Sequence, residues 1–216
     1  MNTAVIGCRT IEKELTAAME QTRLTYPIYW LEAGLHNVPQ QLHQALQEQI
    51  DRCGDRERVL LAIGFCGNSV AGLRARGAEL ILPLADDCIS LLCGSQEERL
   101  RYPETYFFTE GWLRGERTIW REYEYTLEKY GPQRGRRIFQ AMLRNYRYCA
   151  LLDTGCFDRE AAGREVRRIA GELGLDYQVI PGTVSYLCQL LTGPWPADRF
   201  LTVPPRATLD RNMLVL

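Results

Sequence analysis

The residues of this sequence best suited to chemistry are its eight cysteines, none of which forms a Cys-x-x-Cys pair. They are too sparse for a disulfide scaffold, which uses more than about 8% cysteine in a short secreted chain. In a reducing compartment such cysteines are thiols, metal ligands or catalytic groups. Three of them, Cys8, Cys66 and Cys88, lie at or shortly after the ends of apolar runs. Their placement in the fold, rather than a linear motif, therefore decides whether they form a site.

The elements predicted around these cysteines are short strands that alternate with amphipathic helices. Continuous apolar runs at 59–63 and 80–84 are typical of strands buried on both faces of a parallel sheet. This alternation predicts an α/β protein with a mainly parallel sheet and helices on both faces, as in Rossmann-like folds. The length of 216 residues suits a single domain. A division into two small lobes would fall near residues 97–117.

In a parallel sheet, sites form at the carboxyl ends of the strands. We therefore expect Cys8, Cys66 and Cys88 to meet at one sheet edge, with His36 arriving from the loop after the second strand. Neighbouring strands lie about 4.8 Å apart, so three adjacent strand ends span about 10 Å and their side chains can close on one ion. Thiolates favour zinc or iron over magnesium or calcium. The sequence thus predicts zinc or an iron–sulfur cluster on the three cysteines, with His36 as a fourth ligand.

Groups that could contact a small ligand are expected at the same edge. The segment after Cys66 starts a helix, whose N–H groups favour a thiolate or an anion. Polar residues after two later strands are expected to reach that edge as well, where they could hydrogen-bond an anion or an amino acid. The residues predicted for ligand binding are Gly67, Asn68, Ser69, Asp153, Thr154, Gly155 and Thr183.

The charge balance argues against two classes of partner. There are 26 Lys and Arg against 27 Asp and Glu, a net charge of −1. Neither a basic nucleic-acid footprint nor a basic membrane patch is expected from this balance. No apolar run approaches the roughly 20 residues of a membrane helix, and the first eight residues are typical of a strand rather than a signal peptide. We therefore expect a cytoplasmic protein that binds neither nucleic acid nor membrane.

Six motifs of the chain form a specific combination. They are Ile6-Gly7-Cys8, Leu35-His36-Asn37-x-Pro39, Gly64-Phe65-Cys66-Gly67, Asp87-Cys88-Ile89-x-Leu91-Leu92-x-Gly94-Ser95, Thr105-Tyr106-x-x-Thr109-x-Gly111-Trp112 and Asp153-Thr154-Gly155. Together they resemble one uncharacterised family, the domain of unknown function DUF1638. The resemblance extends from Val5 to about Pro181, and it departs from the family at Ile63, where members often have tyrosine. It implies a setting in anaerobic one-carbon metabolism, beside corrinoid-dependent methyltransferases, with a corrinoid protein or a methyltransferase as partner.

Two other functions stay open from the sequence. The segment 64–69 resembles the first-thiol loop of aspartate/glutamate racemases, enzymes that use two facing thiols as acid and base without a cofactor. Cys156 or Cys188 would then supply the second thiol, although the usual Cys-Thr-His motif is absent. The other alternative is a non-enzymatic module that binds a small ligand in the same crevice.

Overall fold

The fold, taken from a computed structural model, is described for residues 2–115, 118–210 and 212. The strands are β1 (Thr3–Cys8), β2 (Ile28–Leu31), β3 (Arg58–Ala62), β4 (Glu79–Pro83), β5 (Thr105–Phe108), β6 (Tyr148–Asp153), β7 (Asp176–Pro181) and β8 (Phe200–Val203). The helices are α1 (Glu12–Thr22), α2 (Pro39–Arg52), α3 (Cys88–Cys93), α4 (Gln96–Leu100), α5 (Glu110–Arg114), α6 (Ile119–Tyr130), α7 (Pro132–Met142), α8 (Arg159–Leu173) and α9 (Ser185–Thr192). Short 3-10 turns lie at Arg9–Ile11 and Leu35–Asn37.

The larger sheet has five strands in the order β2-β1-β3-β4-β8. Strand β1 pairs in parallel with β2 and β3, β3 pairs in parallel with β4, and β8 closes the edge antiparallel to β4. The predicted α/β class with a mainly parallel sheet is therefore confirmed. The parallel direction places the carboxyl ends of β1, β3 and β4 side by side, which is what positions the site.

The later strands form a second sheet, which the sequence does not predict. It is parallel, with the order β5-β6-β7. The expectation that Asp153 and Thr183 share a sheet edge with the cysteines is consequently wrong, because β6 and β7 pair with β5 and not with β4. The change of sheet falls in the segment 97–117, of which Glu116 and Arg117 lie outside the described residues.

Three buried apolar clusters hold these layers together. One joins the larger sheet to the second sheet through α1 and α9, and it includes Val5, Leu15, Phe107 and Leu187. Another packs α2 on the opposite face of the larger sheet, and the third packs α6, α7 and α8 on the outer face of the second sheet. Both faces of each sheet are therefore covered, as the continuous apolar runs require. In the described part of the chain, no helix combines the length and the apolar character needed to cross a membrane.

A buried carboxylate lies where α1 meets the end of β6. Glu14 is 1% exposed, and its Oε1 accepts a hydrogen bond from Thr154 Oγ1 at 2.9 Å. Burial raises the pKa of Glu14 and the neighbouring Glu110 raises it further, whereas Thr154 and Lys13 oppose the shift. The thiol of Cys156 also faces this carboxylate. The junction of the two sheets therefore favours the protonated form of Glu14.

This shift gives folding stability a predictable pH dependence. The folded state holds the Glu14 proton more tightly than the unfolded chain. The contribution of this carboxyl to the free energy of unfolding is therefore fully present below the unfolded pKa of glutamate, about 4.3. It is lost as the pH rises through the folded pKa. Urea unfolding of wild type and Glu14→Gln from pH 4 to pH 8 should show the wild type losing stability relative to the variant. Glu20→Gln, at an exposed position of α1, is the control, and an equal slope in all three proteins would contradict the assignment.

Candidate functional site

Three cysteines converge at the carboxyl ends of adjacent strands. Cys8 is the last residue of β1, Cys66 lies in the loop after β3, and Cys88 is the first residue of α3, after β4. Cys66 and Cys88 pack against the buried apolar cluster that includes Cys8, and Cys66 and Cys88 also line one cavity. The structure therefore places the three cysteines at neighbouring strand ends.

The loop that carries Cys66 has an unusual backbone. Cys66, Gly67 and Asn68 have φ angles of 43°, 69° and 66°, so three consecutive residues occupy the left-handed region that favours glycine. Such strain persists where surrounding contacts over-determine it, and it concentrates at functional sites. The contacts here are two hydrogen bonds of 2.8 Å, from the Phe65 and Cys66 N–H groups to the carbonyls of Ala85 and Asp86. They fasten the loop after β3 to the loop after β4, and so fix Cys66 beside Cys88.

A glycine permits this close approach of the two loops. A Cβ atom at Gly64 would lie 2.5 Å from the Cα of Asp87, a distance that real Cβ atoms do not tolerate. The obstacle is backbone, so no side chain can rotate away to relieve it. Gly64 is therefore needed for the spacing between the loops that carry Cys66 and Cys88.

The surroundings of Cys8 and Cys88 favour the protonated form of each thiol. The interaction with Cys88 and then burial raise the pKa of Cys8. The pKa of Cys88 is raised chiefly by its interaction with Cys66 and also by burial, while its contact with Cys8 acts in the opposite direction. Thr10 Oγ1 lies 3.1 Å from the Cys8 sulfur and lowers the Cys8 pKa in part. Deep burial without a cation thus disfavours the thiolate.

The fourth predicted ligand, His36, is placed at a wall of the site. Its ring lies against that of a tryptophan. Across residues 2–115, 118–210 and 212, no group of three or more His, Cys, Asp and Glu side chains is arranged to hold a metal ion. A shared ion would therefore require the side chains to reorient.

Cys66 and Cys88 face a cavity of about 480 Å³ between the larger sheet and β5. His36 stacks on Trp112 with ring centroids 4.6 Å apart and an interplanar angle of 26°. Burial lowers the pKa of His36, and the charge of Asp87 opposes that shift. The imidazole is therefore favoured in its neutral form, which can accept or donate one hydrogen bond.

The stacked pair is positioned from the first residues of α5. Thr109 caps this helix, and its Oγ1 accepts a hydrogen bond from the Trp112 N–H at 3.2 Å. A Cβ atom at Gly111 would lie 2.2 Å from the carbonyl oxygen of Thr10, so only glycine lets α5 approach the turn after β1. The spacing Thr109-x-Gly111-Trp112 thus places an aromatic wall opposite the thiols.

Both carboxylates that line the cavity have local partners. Asp87 caps α3, and its Oδ1 accepts from the N–H and the hydroxyl of Ser90 at 2.8 and 2.9 Å. Asp86 accepts a hydrogen bond from the side-chain amide of Gln96. Arg99 of α4 is also part of the lining. The polar part of the cavity therefore comes from the loop after β4 and the two short helices that follow it.

The predicted ligand-binding residues are divided by the fold. Of those after Cys66, Gly67 lines the cavity, whereas Ser69 is buried and donates its hydroxyl to the Phe65 carbonyl at 3.0 Å. Asn68 is exposed. The predicted residues near the second sheet have partners of their own. Asp153 pairs with Arg159 at 3.3 Å and accepts a hydrogen bond from the Gly155 N–H at 3.1 Å. Thr154 donates to Glu14, and Thr183 accepts from the Ser185 N–H at 3.0 Å.

Sequence reasoning missed the side of the cavity formed by the second sheet. Tyr106 of β5 and Tyr146, shortly before β6, line it together with Arg99. Their rings contact each other with centroids 5.5 Å apart. Burial raises the pKa of Tyr106 to about 12. The aromatic run at 105–108 was the available signal, but aromatic residues in a short strand indicate core packing just as well.

Substitution of Gly64 tests the contact between the two loops. Gly64→Ala should lower the free energy of unfolding by about 1–3 kcal/mol, the usual cost of overpacking, because the Asp87 backbone must move. Gly171→Ala is the matched control, since nothing lies within 4 Å of the added Cβ in α8. That control should be neutral or stabilising by up to about 1 kcal/mol. Urea denaturation measures both, and equal stabilities would show that the close approach is absent in solution.

Comparison with known proteins gives one finding about family. The sequence model of the family described as "Protein of unknown function (DUF1638)" matches residues 30–191. The match contains His36, Cys66, Cys88 and Trp112, whereas Cys8 precedes it. Neither the search of curated proteins nor the search of solved structures found a match. Because the matched segment covers more than half of the chain, the protein belongs to the DUF1638 family.

Proposed function

We propose that this protein binds zinc through Cys8, Cys66 and Cys88 and uses the metal to hold a small-molecule ligand in the adjoining cavity. The observation that carries the proposal is the position of the three cysteines at the ends of adjacent parallel strands, within one apolar cluster. Three free thiols from three separate strand ends have no packing reason to meet, since other small apolar residues would fill the space as well. Thiolates are preferred ligands of zinc.

The number of thiols favours zinc over an iron–sulfur cluster. The common clusters use four cysteine ligands, whereas three cysteines lie at these neighbouring strand ends. Three protein ligands and one open position are the usual composition of a zinc site that binds a further ligand. A cluster is therefore the second candidate cofactor for the same residues.

Metal binding would change the thiols of Cys8, Cys66 and Cys88 in two ways. The thiols must lose their protons, which the metal promotes because it stabilises the thiolate form. Cys66 must also turn its sulfur so that the three ligands surround one point, and it lies in a cavity-facing loop where such a rotation meets open space. His36 would have to leave its stack on Trp112 to become a ligand. We therefore assign the three cysteines as ligands and His36 to the cavity wall.

The chemistry available at such a centre is activation of a ligand thiol. Zinc lowers the pKa of a bound thiol and keeps it as a thiolate, which is the nucleophilic form. The neutral His36 is placed to hydrogen-bond a ligand at the wall. This activity suits the setting implied by the family resemblance, in which a corrinoid protein or a methyltransferase is the partner. We propose such a partner and a cytoplasmic location on that ground.

The racemase-like alternative requires Cys156 or Cys188 as the second thiol that faces Cys66. Cys156 lies in the loop after β6, where its thiol contacts the Thr154 carbonyl at 3.5 Å, and Cys188 lies in α9, where its thiol contacts Gln21 Oε1 at 3.6 Å. Neither lines the cavity that Cys66 faces. The other alternative, a non-enzymatic module that binds a small ligand, is consistent with the same cavity as its binding site.

Metal analysis of the full chain tests the proposal. Protein purified without oxygen and supplied with zinc should retain about one zinc ion per chain. Cys66→Ser and Cys88→Ser should each weaken zinc binding by more than about 100-fold, because loss of a direct ligand exceeds the loss caused by outer-shell changes. Elemental analysis and competition with a chromogenic chelator measure these effects, and an absorption spectrum distinguishes zinc from a coloured cluster.

The matched control is Cys188→Ser, which replaces a partly buried cysteine outside the cavity. This variant should bind zinc like the wild type, and circular dichroism should show that all three variants fold. Wild-type protein that holds no metal under these conditions would refute the proposal. A Cys66→Ser variant with full zinc content would do so as well.

A further inference from the structure

A run of positive charge without acidic residues starts at the end of α6 and continues through α7. From Lys129 to Tyr148 the chain has six Lys and Arg and no Asp or Glu. The rest of the chain keeps 20 of the 26 Lys and Arg but all 27 Asp and Glu, which leaves it a net charge of −7. The acidic residues of α6 all precede this run, and one of them, Glu124, pairs with Arg121 at 3.0 Å. The small net charge of the whole chain therefore conceals a strongly basic segment.

The packing of α7 turns two of these cations toward solvent. Gly135, Phe139 and Leu143 are buried at a spacing of four residues, and so they form the inner side of this helix. Phe139 and Leu143 belong to the apolar cluster on the outer face of the second sheet. Arg134 and Arg137 are exposed. They lie three residues apart, which places them on one face of the helix.

Exposed rings connect the cations of α6 and α7 into one surface. The Nζ atom of Lys129 lies 5.4 Å from the ring centroid of Tyr125 and 5.3 Å from that of Tyr130. The guanidinium carbon of Arg134 lies 5.6 Å from the centroid of the same Tyr130 ring. Because α6 and α7 form a helical hairpin joined at residue 131, we call this set the hairpin surface. It consists of Tyr125, Lys129, Tyr130, Arg134 and Arg137.

Exposed apolar side chains concentrate in the same segment. In the part of the chain that the structure describes, six large apolar side chains are exposed, and four of them lie between residues 125 and 146. These four are Tyr125, Tyr130, Met142 and Tyr146, with exposed fractions from 38% to 59%. Exposed apolar side chains that cluster mark an interaction site, whereas scattered single ones are ordinary. Arg, Tyr and Met are also enriched in the buried centre of protein interfaces, where Asp and Glu are depleted.

We infer that the hairpin surface docks a partner protein through an acidic surface that also presents apolar side chains. The positive charge of the run is complementary to carboxylates, and arginine and tyrosine are the residue types that most often anchor such contacts. A nucleic acid is disfavoured because an extended polyanion would continue past the run onto the rest of the chain, whose net charge is −7. The inference does not depend on the proposed metal site.

The same run ends beside the cavity of the candidate site. Tyr146, one of its exposed side chains, follows α7 and lines that cavity. Its ring contacts Tyr106 of β5, with centroids 5.5 Å apart. A partner that docks along α7 is therefore placed next to the cavity in which we propose that the ligand binds.

Peptides of one length and three charges test this inference on the full chain. Each is a fluorescent amphipathic helix of about 18 residues, or five turns, with leucines on one face. The other face carries glutamate, glutamine or lysine. Fluorescence anisotropy should show that the glutamate peptide binds about tenfold more tightly than the glutamine peptide, and that the lysine peptide binds most weakly. The difference should shrink as added salt screens the charges.

A triple variant shows whether the hairpin surface causes the preference. Combining Lys129→Gln, Arg134→Gln and Arg137→Gln should weaken binding of the glutamate peptide about tenfold, because three exposed charges each contribute a small part of the affinity. The matched control removes three exposed charges elsewhere, through Arg23→Gln, Arg52→Gln and Arg74→Gln. This control should change the affinity by no more than about twofold, since salt screens distant charges.

A second variant tests the apolar part of the surface without changing its charge. Tyr125→Ser combined with Tyr130→Ser should also weaken binding of the glutamate peptide about tenfold, because exposed rings at an interface contribute much of its affinity. Both tyrosines are exposed, so circular dichroism should show that this variant and the two triple variants fold like the wild type.

Several outcomes would overturn the inference. Equal affinity for the glutamate and glutamine peptides would do so, as would a hairpin variant, triple or double, that binds the glutamate peptide like the wild type. Tighter binding of an oligothymidylate of about 20 nucleotides, or of phosphatidylglycerol vesicles, would assign the surface to a nucleic acid or a membrane instead. Self-association of the wild type in sedimentation velocity, abolished in the hairpin triple variant, would assign it to a second copy of this chain. Each of these outcomes leaves the zinc proposal unchanged.

Discussion

The close contact between the loops after β3 and β4 is the constraint on which the site depends. Backbone hydrogen bonds from Phe65 and Cys66 to the β4 loop fasten these segments together, and Gly64 gives the space that Asp87 needs. The contact is made by backbone, so it does not loosen when side chains change rotamer. It fixes the spacing between Cys66 and Cys88. These residues follow β3 and β4, which pair directly with each other in parallel.

The local pattern of the sequence was sufficient for the elements of the larger sheet. Buried parallel strands are continuous apolar runs, and this signal located β1, β3 and β4 and the cysteines at their ends. The strand order β2-β1-β3-β4 places β1, β3 and β4 side by side, and the apolar runs alone do not determine this order. The shared edge of the three cysteines could therefore be predicted from strand direction, whereas their neighbourhood depends on the strand order that the structure supplies.

The apolar runs that locate the strands do not show that the later strands form a second sheet. Strands β5, β6 and β7 carry the same apolar signal as β1 to β4, and nothing in a run such as 149–152 states which strand will pair with it. The pairing depends on long-range packing, because α1 and α9 cover the inner faces of both sheets and β8 occupies the edge of β4. The cavity wall formed by Tyr106, Tyr146 and Arg99 was missed with it, since these residues are chemical neighbours of the thiols only in three dimensions.

The two sheets contribute different things to the site, and this division bears on its function. The larger sheet supplies the thiols from rigid strand ends, where positions are set by the hydrogen-bond ladder. The wall opposite them comes from α4, α5 and β5, which are short elements. The cavity between them is lined by thiols on one side and aromatic rings on the other. For the proposed metal site, this arrangement leaves one side facing the cavity, whereas a purely structural metal site is closed on all sides.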